Sequence, residues 1–343
     1  MNPATVGSWP PLHVGITGGM GFVGSHLADA LLAEGRSVTV IDNLSTGQVA
    51  NVAHLRSHPR YREIVADVRS VESIAVLESE VDLVVHLAAA VGVKLTVENP
   101  VETIETNVDG TEAVLRAARK RNTKVLIAST SEVYGKANKI PFSENDDVTL
   151  GPTTLPCWGY AASKMVDEFL ALGYWRQFGL PTLVMRLFNV VGPRQSDFYV
   201  VPRFVRSALR GETLEIYGDG SQTRCLTHID DTIRAITALI RCDDAVGQVF
   251  NIGADGEVTI LELAHRILRA VGVGSPSDHC RFVPYRDVYG QDFEDPQRRV
   301  PDTSKLTAYT GWQPSFGLDR IITDVIGHLS DPAVRVSRTS DLG

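Results

Sequence analysis

Leu12-His13-Val14-Gly15-Ile16-Thr17-Gly18-Gly19-Met20-Gly21-Phe22-Val23-Gly24 decides how the rest of the chain is read. Its first half is mostly apolar, the pattern of a short strand buried on both faces. Glycines follow in two overlapping registers, Gly19-x-Gly21-x-x-Gly24 and Gly18-x-x-Gly21-x-x-Gly24. Beyond them Phe22, Val23, Leu27, Ala30 and Leu31 share one helical face, and Gly35 marks a stop. A strand, a glycine turn and a helix in this order gather backbone N–H groups and the positive end of a helix dipole at one point. A pyrophosphate can bind there. Spaced glycines without that context would say little.

Working outward, Val38–Ile41 reads as a second strand ending at Asp42. A carboxylate in this place accepts hydrogen bonds from both adenosine ribose hydroxyls and repels a 2′-phosphate, which predicts NAD over NADP. Further strands are expected at Ile64–Val65, Val81–Leu87, Lys124–Ala128 and Thr182–Phe188. Helices fall between them around Val71–Leu77, Val101–Arg119 and Tyr160–Phe178. The alternation predicts an α/β fold, a Rossmann doubly wound parallel sheet that binds ligands beyond the carboxyl ends of its strands. After Asn189 the pattern loosens. A helix is expected at Pro202–Leu209, a strand at Leu214–Tyr217, a helix at Asp230–Arg241 and a strand at Val249–Ile252. Thr259 and Glu262 form a capping box before a helix over Ile260–Val271. Gly272 to Arg299 reads as loop-rich. These shorter elements suggest a smaller C-terminal mixed α/β substrate domain covering the first.

Composition fits that picture. The chain has 343 residues, a formal charge of −8, 43% hydrophobic and 22% charged residues, which suits a globular protein and excludes a disordered one. Its 29 Gly and 17 Pro follow no period, so it is not collagenous. The acidic balance argues against a nucleic-acid partner. Cys157, Cys225, Cys242 and Cys280 form no CxxC pair and read as reduced thiols in a cytoplasmic protein. No membrane span is expected: the most apolar run, Val81 to Val93, is too short and holds Asp82 and His86. The N-terminal residues lack the basic start and apolar stretch of a signal peptide. The chain from about Asp331 reads as a frayed tail. No metal site is expected.

Two groups carry the chemistry. Tyr160 and Lys164 lie four residues apart, on one face of a helix. A cation near a phenol favours the phenolate, which predicts a lowered pKa for Tyr160 and a general base for a hydroxyl. Ser129-Thr130-Ser131 precede them at the end of the fifth strand. On the cofactor side, Asp67 is placed to meet an adenine or is a solvated loop carboxylate. Leu87-Ala88-Ala89 leave room for a dinucleotide to cross or simply pack the core.

With Thr17–Gly24, Asp42-Asn43-Leu44, Asp67-Val68, His86–Ala89, Tyr160/Lys164, Arg186-Leu187-Phe188-Asn189 and Gly218-Asp219-Gly220, residues 12–325 resemble the extended short-chain dehydrogenase/reductase family. These are nucleotide-sugar epimerases, dehydratases and decarboxylases. The resemblance implies NAD held by Gly18, Gly21, Phe22, Val23, Gly24, Asp42, Asn43, Asp67, Val68, Leu87, Ala88, Ala89, Asn107, Tyr160 and Lys164. It implies an NAD domain over residues 1–190, with about 226–272, and a nucleotide-sugar domain mainly over 191–343. It also implies a homodimer through the Val101–Arg119 and Tyr160–Phe178 helices. Thr130 would contact the sugar O4, with Ser131 beside it. Asn189, Tyr217, Arg224 and Arg286 would hold the nucleotide.

All such enzymes begin by oxidising the sugar at C4, and two stretches then point to one subfamily. Glu132 is more than a 4-epimerase needs; it resembles the glutamate of 4,6-dehydratases and of uronate decarboxylases. Glu294-Asp295-Pro296-Gln297-Arg298-Arg299-Val300-Pro301-Asp302 is similar to the DPQRRKPD stretch of UDP-glucuronate decarboxylases, with Val300 departing from it. There the second arginine, here Arg299, reaches the sugar. The resemblance therefore implies decarboxylation of a UDP-uronate to UDP-4-keto-xylose or UDP-xylose, with dehydratase and 4-epimerase as alternatives. The Gln195–Tyr199 stretch is shorter than in many relatives. His228 reads as a structural histidine.

Overall fold

In the computed structural model, residues 12–137, 139–289 and 298–332 are described. The N-terminal residues read for a signal peptide, residues 294–297 of the Arg299 stretch and the tail beyond 332 lie outside the described residues.

The quoted stretch forms β1 (His13–Thr17), a glycine turn and α1 (Phe22–Ala33). Gly35, at φ +84°, takes a left-handed turn that L side chains rarely adopt and ends the helix. Then come β2 (Ser37–Asp42), β3 (Tyr61–Val65), α2 (Val71–Ser79) and β4 (Leu83–His86). The Ser70 side chain caps α2 by accepting from Ser73 N. Next are α3 (Val93–Glu98), α4 (Pro100–Arg119), β5 (Lys124–Thr130), α5 (Gly159–Phe178) and β6 (Thr182–Leu187). The chain continues through β7 (Val190–Val191), α6 (Val200–Leu209), β8 (Leu214–Tyr217), β9 (Thr223–Cys225), β10 (Thr227–His228), α7 (Ile229–Ile240) and β11 (Val249–Ile252). It closes with β12 (Glu257–Thr259), α8 (Ile260–Ala270), β13 (Cys280–Val283), α9 (Tyr285–Tyr289), α10 (Ser304–Thr310) and α11 (Leu318–Ser330).

Seven strands form one parallel sheet in the order β11-β6-β5-β4-β1-β2-β3. Val14, Ile16, Val40, Val84, Val85, Ile127 and Val184 are fully buried because helices cover both faces. α1 and α7 pack on one face through Leu27, Leu31, Ile233 and Ile236. α2, α4 and α5 pack on the other through Leu77, Val114, Leu115 and Ala171. The strand order reverses at β1, between β2 and β4, so a crevice opens beyond the carboxyl ends there.

A separate apolar cluster joins α6, α8 and α11 around Phe204, Leu214, Ile267 and Ile322. Three two-stranded ladders accompany it: β7 with β10, β8 with β13 and β9 with β12. The Gly272–Arg299 segment, read as loop-rich, also contains β13, parallel to β8, and α9. Four residues with an exposed Phe282 show no apolar alternation; β13 takes its order from the β8 edge rather than from its own pattern. His228 is structural, as read: its Nδ1 accepts from Asp230 N at the start of α7 and its Nε2 lies 3.1 Å from Asp324.

Candidate active site

The glycine turn is built by close approach. Gly18 sits at φ +68°, and a Cβ there would lie 2.8 Å from Ala88 N beyond β4. A Cβ on Gly24 would lie 2.3 Å from Gly18 O, inside van der Waals contact, so only glycine lets α1 pack onto the turn. No side chain caps α1 at Gly21 and no acidic residue occupies its first turn, which leaves that end suited to an anion. Asp42 is buried at the end of β2 and accepts from Met20 N at 2.9 Å and Leu44 N at 2.8 Å. Burial raises its pKa, and the N–H groups of Leu44, Met20 and Gly21 oppose the rise. Asn43 is exposed beside it, and Val68 is buried. Asp67 is held by Arg69 through paired 2.8 Å bonds, which keep its carboxyl below the usual range. Leu87, Ala88 and Ala89 lie half-buried beyond β4, beside the Gly18 turn. Asn107 links this rim to α5: it accepts from Ala90 N at 2.7 Å and donates to Ser163 Oγ at 2.9 Å, one residue from Lys164.

The residues expected to carry the chemistry gather beyond β5. Thr130 caps the 3-10 turn Ser131–Tyr134 by accepting from Glu132 N at 3.2 Å, and its hydroxyl also bonds the Tyr160 phenol. Ser131 is buried in the same turn. Behind it, Glu168 of α5 accepts both guanidinium bonds of Arg186 from β6, at 2.9 and 2.7 Å, and a 2.5 Å bond from Ser129 Oγ. The Arg186 guanidinium also lies 4.7 Å over the Tyr134 ring, and Tyr134 donates to Asn251 Oδ1 at 2.8 Å. These contacts clamp the strand end that carries Thr130 and Glu132.

Arg299 comes from far along the chain. Phe142 N donates to Val300 O and Asp302 N to Phe142 O, both at 2.8 Å, which pins residues 300–302 beside the turn. Arg299 Nη1 then lies 3.5 Å from Glu132 Oε1, with only 13% of its side chain exposed. Arg298 turns outward and forks onto Glu257. The two adjacent arginines thus do different things, and only the second enters the site.

One expectation is corrected. The Tyr160 pKa is raised well above its ordinary value rather than lowered. Burial is the main cause, followed by the negative charge of Glu132, Tyr199 and Asp167, and the Thr130 hydrogen bond opposes them. The Lys164 ammonium is itself engaged at 2.6 Å by Asp167, which the YxxxK spacing alone could not show.

At the other end of the crevice, Asn189 takes φ +34° and donates to Cys225 O. Tyr217 stacks under the Arg203 guanidinium at 4.0 Å. Arg224, on β9, donates to Thr223 O. Arg286 stands exposed on α9 beside Asp287, and its neighbour Tyr285 ties α9 to the Gly218 turn by accepting from Gln222 at 2.8 Å.

Sequence reasoning did not single out three residues here. Asp167 stands one helical turn beyond Lys164. Tyr199 is 40% exposed as a residue, yet its phenol pKa is pushed up to about 12, by burial and then by Glu132. Arg203 has a buried Nε with no hydrogen-bond partner among the described residues. Its signal was present: an arginine between Val201 and Phe204 interrupts the apolar face of α6.

A doubly wound sheet with a glycine turn, a buried carboxylate ending its second strand and a Thr–Tyr–Lys cluster defines an extended short-chain dehydrogenase/reductase. The family model described as GDP-mannose 4,6 dehydratase matches residues 16–325, and the chain belongs to that enzyme family. It is 42% identical over 315 residues to the UDP-N-acetyl-alpha-D-glucosaminuronate decarboxylase of Bacillus cytotoxicus, covering 91% of this chain and 95% of that one. It is 38% identical over 320 residues to UDP-glucuronic acid decarboxylase 1 of Arabidopsis thaliana, covering 91% and 69%. Among solved structures it is similar to DesIV, the dTDP-glucose 4,6-dehydratase of Streptomyces venezuelae, determined with NAD and TYD bound. That match has TM-score 0.83 and 30% identity over 94% of this chain and 98% of that one.

Proposed function

We propose that this protein is an NAD-dependent decarboxylase of a UDP-hexuronate, with UDP-glucuronate as substrate. The observation that carries this reading is the 3.5 Å approach of Arg299 to Glu132, in the cluster where Glu132 also acts on the Tyr160 phenol. A 4-epimerase of a neutral hexose needs no such cation, whereas the enolate left when carbon dioxide departs is stabilised by one.

The residues present fit NAD. The uncapped start of α1 and the Gly18–Gly24 cradle suit a pyrophosphate, Asp42 suits a ribose diol, and Asn107, Tyr160 and Lys164 line the nicotinamide end. The chemistry supplied by bound NAD is reversible hydride exchange with C4 of the sugar. Tyr160 takes the proton from the C4 hydroxyl, with Thr130 and Ser131 holding that hydroxyl. Once C4 is a ketone, the C6 carboxylate lies β to it, and carbon dioxide leaves with the bond electrons spread as an enolate. Arg299 puts positive charge where that anion develops, and Glu132 orients the guanidinium. Protonation at C5 gives the 4-keto-pentose nucleotide, which is released or reduced to UDP-xylose. Asn189, Tyr217, Arg224, Arg286 and Arg203 are assigned to the UDP portion, where arginines pair with the diphosphate.

The test is incubation of the protein and NAD with UDP-glucuronate, UDP-glucose and dTDP-glucose, followed by mass analysis. Loss of one carbon dioxide from the uronate is expected. Loss of water from a hexose, or a new isomer of unchanged mass, overturns the assignment. The 42% match to an enzyme named for an N-acetylated uronate favours a second reading, in which that analogue is the better substrate. It belongs in the same assay.

The chain further forms a homodimer in this reading. α4 and α5 lie side by side and leave Val101 (66% exposed), Ile104, Val166 and Phe169 (70% exposed) uncovered. Phe169→Asp should shift the species seen by light scattering from dimer to monomer; a wild-type monomer at micromolar concentration would refute the assignment. Among the described residues no helix is long and apolar enough to cross a membrane.

A further inference from the structure

Asp167 is a buried acid that the reading above leaves without a task. Its side chain has no exposed surface, and one oxygen receives the Lys164 ammonium at 2.6 Å. Its other oxygen, Oδ1, has no hydrogen bond of good geometry among the described residues. Burial raises the Asp167 pKa above its ordinary value, and the Lys164 ammonium, with the Thr111 hydroxyl of α4 beside the carboxylate, opposes the rise. Thr111 is itself 3.1 Å from His86 Nε2, and His86 Nδ1 is 2.7 Å from Thr17 Oγ1 at the end of β1. A polar column therefore runs from the glycine turn through β4 and α4 to the ammonium in α5.

Lys164 is only 2% exposed. An ammonium buried this far is driven toward the neutral amine unless a counter-charge accompanies it. A neutral Lys164 could not stabilise the Tyr160 phenolate. We propose that Asp167 is a positioning residue: it keeps the buried Lys164 ammonium charged and aimed, and so sets the pH range in which Tyr160 serves as base. This rests on the reading of Tyr160 and Lys164 as the reacting pair.

The groups facing this pair are few. Tyr160 and Glu168 share α5 with it, and Glu168 is committed to Arg186 of β6. Glu132 and Tyr199 act on Tyr160 from the 3-10 turn and from the start of α6. His86 of β4 lies near Lys164, and burial pushes its pKa down to about 3, so it stays neutral across the working range. Among the described residues, Asp167 is therefore the anion in contact with the ammonium.

Replacing it by asparagine removes negative charge near both partners. Lys164 then loses its proton at lower pH, and the Tyr160 phenolate forms at lower pH while Lys164 remains charged. Both limbs of the pH–turnover profile should move toward acid by about one pH unit or more. Turnover should fall at alkaline pH and recover on acidification.

The experiment compares wild type, Asp167→Asn, Asp167→Glu and Lys164→Met, each loaded with NAD, in turnover of UDP-glucuronate across pH. It also follows the titration of the Lys164 side chain by NMR in protein carrying isotope-labelled lysine. An acid shift of both limbs and of the Lys164 titration in Asp167→Asn, restored by Asp167→Glu, is the expected result. A profile lowered evenly, with limbs and titration in place, overturns the proposal. If Lys164→Met leaves turnover intact, the assignment of the reacting pair fails instead, so the two failures are distinguishable. Should Asp167→Asn not fold, the double variant Asp167→Asn/Lys164→Met removes both charges and should fold. A double variant that stays unfolded while Lys164→Met alone folds overturns the charge-pairing role.

Discussion

Tyr160→Phe should lower turnover by roughly 10³-fold, the scale of a lost general base, with fold and NAD content unchanged. The structure adds a direction to this expectation. Burial and the charges of Glu132, Tyr199 and Asp167 hold the phenol well above its ordinary pKa. Wild-type turnover should therefore rise as pH increases and the phenolate forms, and the residual activity of the variant should lack that rise. Steady-state rates across pH, with circular dichroism as the folding control, make the check. Turnover within threefold of wild type would remove Tyr160 from the chemistry.

Glu168→Gln should lower the unfolding free energy by about 3–5 kcal/mol, since it leaves a buried cation without its counter-charge. Arg186 and Glu168 are each 7% exposed at the side chain and joined by two bonds. An exposed pair would cost only about 0–1 kcal/mol, so denaturant titration separates the cases cleanly. The substitution should also reach the site: Ser129 loses its carboxylate partner, and the strand end holding Thr130 and Glu132 loses its clamp. A stable Glu168→Gln protein with wild-type activity would show that neither the charge pair nor the clamp matters.

The legible part of the site was local. Gly18 and Gly24 could be read because the turn leaves no room for a Cβ at either, a constraint written at single positions. Asp42 could be read because it ends a strand, and strand ends are where this sheet presents its ligands. Tyr160 and Lys164 could be placed on one face because helical spacing is fixed. What those two do to each other was not legible: the expected lowering of the phenol pKa is reversed by burial first, and then by neighbours from the 3-10 turn, the start of α6 and α5 itself. Tyr199 and Arg203 escaped notice because their roles depend on which loop folds back over which strand. β13 escaped because its only ordering influence is an edge more than sixty positions upstream in the chain, at Leu214–Tyr217.

The amino-acid sequence by itself determined the doubly wound sheet, the place of the dinucleotide turn and the residue types available for proton transfer. Those follow from short-range periodicity, glycine sterics and strand-end position, which act within a few residues. Only the tertiary structure decided that Arg299 rather than Arg298 enters the site, that Asp167 claims the Lys164 ammonium, and that Glu168 and Arg186 brace the end of β5. The physical reason is that charge pairing and desolvation depend on distances between groups far apart along the chain, and packing sets those distances.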